Sequence, residues 1–215
     1  MRVENKNRHF VAIAGNIGVG KSTLTSLAAR KLGWEPFFEV AEDNPYLADF
    51  YLDMPRWSFH SQTFFLSQQL KRHYEMLQHD GSVIQDRAIY EGVEIFGKNL
   101  YLQGIMSLPD WQTYLELYRN IALLLQPPDL VVYLKASVPT LLGRIAQRGR
   151  GYESTIAPEY LESLNVLYDE WIADFRLSPV LCIESDNLDY VNDEKQLEQV
   201  LGMIQDRLAG SSVGS

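Results

Sequence analysis

The stretch "HFVAIAGNIGVGKSTLTSLAARKLG", residues 9–33, decides how the chain is read. It joins an apolar run, a glycine-rich turn and an amphipathic segment. Within it, Gly15, Asn16, Ile17, Gly18, Val19, Gly20, Lys21 and Ser22 match GxxxxGK[ST] in full, and Thr23 follows. Glycines let successive backbone N–H groups turn inward around phosphate oxygens. The helix beginning near Lys21 aims its partial positive charge at the same place. In such a turn the lysine reaches the β- and γ-phosphates, and the Ser22 hydroxyl is a ligand for Mg²⁺. An apolar strand before and an amphipathic helix after are the context the motif requires. GTPases, ATPases and kinases all use this turn, so it does not choose among them.

Outward from the turn, four further apolar runs resemble the strand before it: "PFFEV" (36–40), "SVIQD" (82–86), "LVVYL" (130–134) and "VLCIE" (180–184). With "FVAIA" (10–14) they make five. None alternates cleanly between apolar and polar, the pattern of parallel strands covered on both faces. Helical segments separate them at 21–32, about 57–79, 90–103, 110–125, 138–148, 158–176 and 193–208. Strands alternating with helices predict an α/β fold, a doubly wound five-stranded parallel sheet with helices on both faces. The helices outnumber the crossovers, which predicts a helical subregion beside the sheet. Residues 1–208 read as one P-loop domain, with a lid at about 144–157 and a disordered tail at 209–215.

The net charge of −9 argues against a partner that is a nucleic acid polymer, because such binding needs excess Lys and Arg. It leaves room for a small anionic ligand held by a local basic cluster. The single cysteine, Cys182, lies inside an apolar run and reads as a buried strand residue. One cysteine forms no internal disulfide, which suits a reducing compartment. No apolar run reaches transmembrane length and the N-terminus lacks a signal-peptide core, so a cytoplasmic location is expected.

Four more stretches carry chemistry. In "FFEVAEDNPYL", Glu39 sits near the carboxyl end of the second predicted strand, where parallel sheets place ligands. A carboxylate there can take the proton of a hydroxyl attacking phosphorus; a solvated loop charge has the same signature. In "SVIQDRA", Asp86 suits a hydrated Mg²⁺ beside the glycine turn and Arg87 suits an acceptor oxygen or phosphate. A structural Asp–Arg pair would look alike. In "GRIAQRGRGYE", Arg144 and Arg148 share a helix face and Arg150 follows a glycine break. They fit a mobile lid closing on phosphates, or a basic helix end complementing its dipole. In "RWSFHSQTFFLSQQLKRH", Gln62, Phe65 and Gln69 share a face, suiting either a nucleobase edge and plane or the margin of a core.

Together these stretches resemble the deoxyribonucleoside kinase family, which includes deoxycytidine, deoxyguanosine and deoxyadenosine kinases. The likeness runs from Phe10 to about Ile183 through "GNIGVGKST", "EVAEDNPYL", "PRWSFHSQTFFLS", "DRAIYEG", "KASVPTLLGRIAQRGR" and "APEYLESLNVLYDEWI". "VAEDNPYLADFY" resembles the bacterial branch acting on purine deoxynucleosides, which implies deoxyadenosine as the favoured substrate and a role in nucleotide salvage. The resemblance implies a P-loop kinase fold with an arginine lid, ATP as donor and Mg²⁺ as cofactor. It also implies that Glu39 is the general base for the 5′-hydroxyl and that Arg87 holds this hydroxyl and stabilises charge. Asp86 then joins Ser22 at Mg²⁺, and Lys21, Arg144, Arg148 and Arg150 contact phosphates. Gln62 pairs with the base, and Tyr51 with Glu153 contacts the 3′-hydroxyl. "SDNLDY" (185–190) borders the donor adenine.

There are two departures. Many members carry an arginine where this chain has Gln69 and an aspartate where it has Gly92. That charged pair beside the base is absent, so base preference does not transfer directly. The resemblance also implies a homodimer, no membrane partner, and an ATP-dependent phosphotransferase with an alcohol acceptor. Two other functions share parts of the pattern: a nucleoside monophosphate kinase of the thymidylate kinase kind, and a non-catalytic P-loop module. Glu39 beside Glu42 and Asp43 disfavours an anionic acceptor.

Overall fold

The computed structural model describes residues 8–39, 43–150 and 156–211. Five strands form one all-parallel sheet in the order β2-β3-β1-β4-β5. They are β1 (Phe10–Gly15), β2 (Glu35–Phe37), β3 (Val83–Asp86), β4 (Leu130–Lys135) and β5 (Val180–Glu184). The chain leaves β1, winds out to the β2 edge, returns at β3, and crosses to β4 and β5. β1 therefore lies where the winding reverses, and the carboxyl end of a strand at that point is where ligands enter such sheets.

Why the strands lack alternation is visible at β1. Val11 and Ile13 pack with Leu24 and Ala28 of α1 (Lys21–Leu32), Leu141 of α7 (Val138–Arg148) and Ile204 of α9 (Glu194–Ser211). Phe10, Ala12 and Ala14 face the other way. They meet Leu66 of α3 (Met54–Gln78), Tyr114 of α6 (Leu108–Ala122) and Leu164 and Tyr168 of α8 (Pro158–Asp174). Each fully buried Val, Ile or Leu here stabilises by roughly 1.5–3 kcal/mol. A third, smaller cluster, Phe50, Leu100 and Met106, lies off the sheet. It joins α2 (Leu47–Leu52) and α5 (Lys98–Leu102) to α3 and α6, and it is the helical subregion expected from the excess of helices.

Several boundaries differ from the sequence reading. β2 is three residues long, not five, and begins one residue earlier, at Glu35; it is an edge strand paired only with β3, with Pro36, which has no N–H to donate, at its middle. α3 begins at Met54 because the Asp53 carboxylate accepts from Arg56 N at 3.3 Å and Pro55 is tolerated in a first turn. The predicted helix 90–103 is broken into three: α4 (Ile89–Glu91), a π-helical turn over Gly92–Gly97, and α5. Cys182, expected to be buried, is exposed, on β5, the other edge strand of the sheet. No helix among the described residues is long and apolar enough to cross a membrane.

Candidate active site

Two clefts open at the carboxyl ends of β1 and β3, and they meet. One is lined by Glu39, Tyr51, Gln62, Phe65, Gln69, Asp86 and Arg87. The other runs past Gly20, Thr23, Arg144, Leu188 and Tyr190. Gly18, Lys21, Ser22, Arg148 and Arg150 line both, so the end of the glycine turn and two arginines, one closing α7 and one just beyond it, stand at the junction. Residues predicted from four separate stretches are thus brought to one place.

The turn itself is held by side chains as well as by its own backbone. Asn16 is buried; its Nδ2 donates to Leu161 O at 2.9 Å and Asn165 Oδ1 at 2.8 Å, while its Oδ1 accepts from Ile17 N at 2.7 Å. At Gly20, φ is +106°, and an added Cβ would stand 2.4 Å from the Tyr190 hydroxyl. Only glycine fits that position. Lys21 folds across the turn, its Nζ donating to Gly15 O at 2.7 Å and Asn16 O at 3.0 Å. Burial draws its pKa down to about 8, with Arg87 adding to the same direction. A desolvated ammonium so close to open backbone amides is a strong electrostatic partner for phosphate oxygens.

Arg87 is the most constrained residue of the cleft. Its φ of 67° is the only positive value outside glycine among the described residues. That conformation costs of order 1–3 kcal/mol and persists where surroundings over-determine it. Its N–H donates to Ile13 O at 3.0 Å, its Nε donates to Glu39 Oε2 at 2.6 Å, and its guanidinium lies 4.4 Å from the Phe96 ring centroid. Burial opposes its charge, but Glu39 and its acidic neighbours outweigh this and raise its pKa. Nη1 remains buried without a partner. An unmatched charged donor beside a carboxylate suits an incoming hydroxyl or phosphate oxygen. Next to it, Ser22 Oγ donates to Asp86 Oδ2 at 2.5 Å, which places two oxygen donors side by side.

The far end of the first cleft is uncharged. Gln62 and Gln69 project from α3 and are both buried, and Gln69 Oε1 has no hydrogen-bond partner. Gly92 opens the space opposite: an added Cβ would lie 3.3 Å from both Gln69 Oε1 and the Tyr114 hydroxyl. The Tyr114 hydroxyl also lacks a partner.

Two predicted residues stand differently. Arg144 is turned to protein acceptors: Val19 O at 2.9 Å, Ser185 O at 2.6 Å and Oγ at 3.2 Å, and Leu188 O at 3.3 Å. It ties the segment after β5 to the glycine turn, while Arg148 and Arg150 line the junction of the two clefts. Glu153 lies outside the described residues. Sequence reasoning also missed Glu91 and Tyr168, which meet beneath the turn across 77 residues of chain, and Tyr160, which lines the first cleft.

The deoxynucleoside kinase profile matches residues 11–209. The chain belongs to the deoxynucleoside kinase family. It is 38% identical over 199 residues to a deoxyadenosine/deoxycytidine kinase of Bacillus subtilis, covering 91% of each chain. It is 34% identical to a deoxyguanosine kinase of the same organism, covering 92% of this chain and 96% of the relative. Among solved structures, deoxyadenosine kinase from M. mycoides with the products dCMP and a flexible dCDP superposes with a TM-score of 0.81 at 31% identity. That match covers 91% of this chain and 98% of the other. The kinase is therefore an ATP-dependent phosphotransferase acting on deoxynucleosides, with the P-loop kinase fold. The monophosphate kinase and the non-catalytic module are set aside.

Proposed function

We propose that the kinase moves the γ-phosphoryl of ATP to the 5′-hydroxyl of a deoxyribonucleoside, with deoxyadenosine favoured. One observation carries the reading: the first cleft has a charged end, Glu39 and Arg87 beside Lys21, and a neutral end at Gln62 and Gln69. The charged end suits an alcohol that must lose its proton. The neutral end suits a base, because a carboxamide pairs bidentately with adenine N6 and N7. The orphan Gln69 Oε1 asks for a donor such as an exocyclic amino group, and leaving it unmet costs about 1–3 kcal/mol. The Bacillus subtilis relative that phosphorylates deoxyadenosine and deoxycytidine supports an amino-bearing base.

In this reading, the glycine turn and Lys21 hold the triphosphate, and Arg148 and Arg150 close over it. Glu39 accepts the 5′-proton as phosphorus transfers, and Arg87 neutralises charge on the moving oxygens. Ser22 and Asp86 fit Mg²⁺, a hard cation that takes few protein oxygens beside phosphate oxygens. Bound with ATP, it would neutralise charge on the phosphates. Tyr51 lines the cleft where the sugar would lie and disfavours a 2′-hydroxyl. A homodimer fits the apolar residues left exposed on and after α6, Leu117, Leu123 and Leu124.

The test is a panel of deoxynucleosides and their monophosphates with ATP and Mg²⁺. Formation of 5′-monophosphates with the highest kcat/KM for deoxyadenosine is expected; a preference for deoxyguanosine would overturn the base assignment. Gln62→Ala should raise KM for the deoxynucleoside by about tenfold or more, the loss of one or two hydrogen bonds, while KM for ATP holds. An equal rise in both would point to general disruption.

A further inference from the structure

Glu91 has no part in the mechanism above and lines neither cleft, yet its carboxyl is fully buried at the centre of the site. Oε1 accepts from Gly15 N at 3.2 Å and from the Tyr168 hydroxyl at 2.6 Å; Oε2 accepts from Ala88 N at 2.6 Å. Gly15 opens the donor turn. Ala88 follows Arg87 and anchors the strained turn that presents the guanidinium. Tyr168 reaches in from α8, its hydroxyl also 2.8 Å from Gly15 O. One side chain thus spans the backbone segments that carry the donor cradle and the arginine.

The chemistry of the bridge is specific. A carboxyl group offers two acceptor oxygens, one to each arm. A carboxamide of the same size offers one oxygen and one NH₂, so in either orientation one buried backbone N–H loses its acceptor. Burying an acid solely to fill space is unfavourable. Burial does push the Glu91 pKa up, opposed by Arg87, Lys21 and the hydrogen bonds it accepts.

We propose that Glu91 is a positioning residue for phosphoryl transfer: it sets the spacing between the donor turn and Arg87. Misplacing reacting groups by 1 Å can cost about 10²-fold in rate, so the bridge acts on turnover more than on the binding of either substrate. The inference rests on assigning Gly15–Thr23 to the donor and Arg87 to the transferring oxygen.

The experiment uses Glu91→Gln in the full chain. It measures kcat, both KM values, thermal stability, and affinity for a bisubstrate ligand joining a deoxynucleoside 5′-oxygen to adenosine through a polyphosphate. The expected result is a kcat lower by about 10–100-fold, little change in either KM, and bisubstrate affinity lower by a similar factor. Affinities for ADP and for the deoxynucleoside alone should hold. A parent-like kcat overturns the proposal. So does weakening of every ligand in step with lost thermal stability, which would make Glu91 a group of the fold alone. Should Glu91→Gln not accumulate folded, Tyr168→Phe decides. It removes one hydroxyl and keeps the ring stacked 5.7 Å from Tyr133. The same pattern, smaller in size, is expected, and parent-like kcat and bisubstrate affinity would overturn the proposal. A wrong assignment of the two arms shows separately, in the parent protein, as bisubstrate affinity no greater than that for ADP.

Discussion

Replacing Glu39 by glutamine is expected to lower turnover by roughly 10²–10⁴-fold, the usual worth of a positioned general base, while deoxynucleoside binding survives. Glutamine keeps the volume of the side chain and can still turn an oxygen toward Arg87 Nε, now 2.6 Å from Glu39 Oε2. The substitution therefore leaves the pocket's shape and its nearest hydrogen bond in place. What it removes is the ability to accept the 5′-proton. Steady-state kcat with ATP saturating, together with deoxynucleoside affinity by calorimetry, separates the two effects. Turnover within a few-fold of the parent would take Glu39 out of the role of base.

The second large effect is expected at Arg87. Arg87→Met should lower kcat by about 10²–10³-fold, comparable to losing one preorganised donor to developing charge. It should also destabilise the fold, because Glu39 would be left without its partner. Removing one member of a fully buried pair costs about 3–5 kcal/mol; a smaller loss is expected here, because Glu39 is 19% exposed at the cleft and can regain water. The two effects can be divided with Arg87→Lys. Lysine restores a positive charge near Glu39 and so should recover thermal stability. It lacks the planar fork that lets Arg87 serve Glu39 through Nε while presenting Nη1, and it stacks less well on Phe96. Its kcat should stay low. If Arg87→Lys turns over at the parent rate, the guanidinium's geometry is not what matters.

Which parts of this site could be read from sequence follows from how local each signal is. The glycine turn is a contiguous pattern whose backbone geometry is dictated by its own residues, so its place after β1 was legible. β1, β3 and β4 were legible because strands buried on both faces need near-continuous apolar residues, whereas β2 and β5 lie at the edges and are only partly buried. Gln62, Phe65 and Gln69 lie on one helix, where spacing alone puts them on one face. β2 was overextended because apolar content cannot distinguish a paired edge residue from a loop residue that points inward. α2 has six residues, too few for a period to show. The burial of Cys182 was misjudged because composition does not reveal which strand lies at the edge.

The remaining features are tertiary. The π-helical turn depends on close packing at Gly97, where a Cβ would lie 2.7 Å from Tyr114 Cε1, and nothing in the 90–103 pattern announces it. Arg144 satisfies the helical spacing of a lid arginine, but its partners are Val19 in the glycine turn and the segment after β5, 41 to 44 residues onward. The contact between Glu91 and Tyr168 joins residues from α4 and α8, and each reads in isolation as an ordinary helical residue.

The most direct test of the central claim is a crystal structure with a non-hydrolysable ATP analogue, Mg²⁺ and deoxyadenosine. The triphosphate should lie in the turn of Gly15–Thr23, the adenine of the nucleoside against Gln62 and Gln69, and the 5′-oxygen within hydrogen-bond reach of both Glu39 and Arg87. A 5′-oxygen directed away from Glu39, or a deoxynucleoside seated in the cleft of Leu188 and Tyr190 instead, would contradict it.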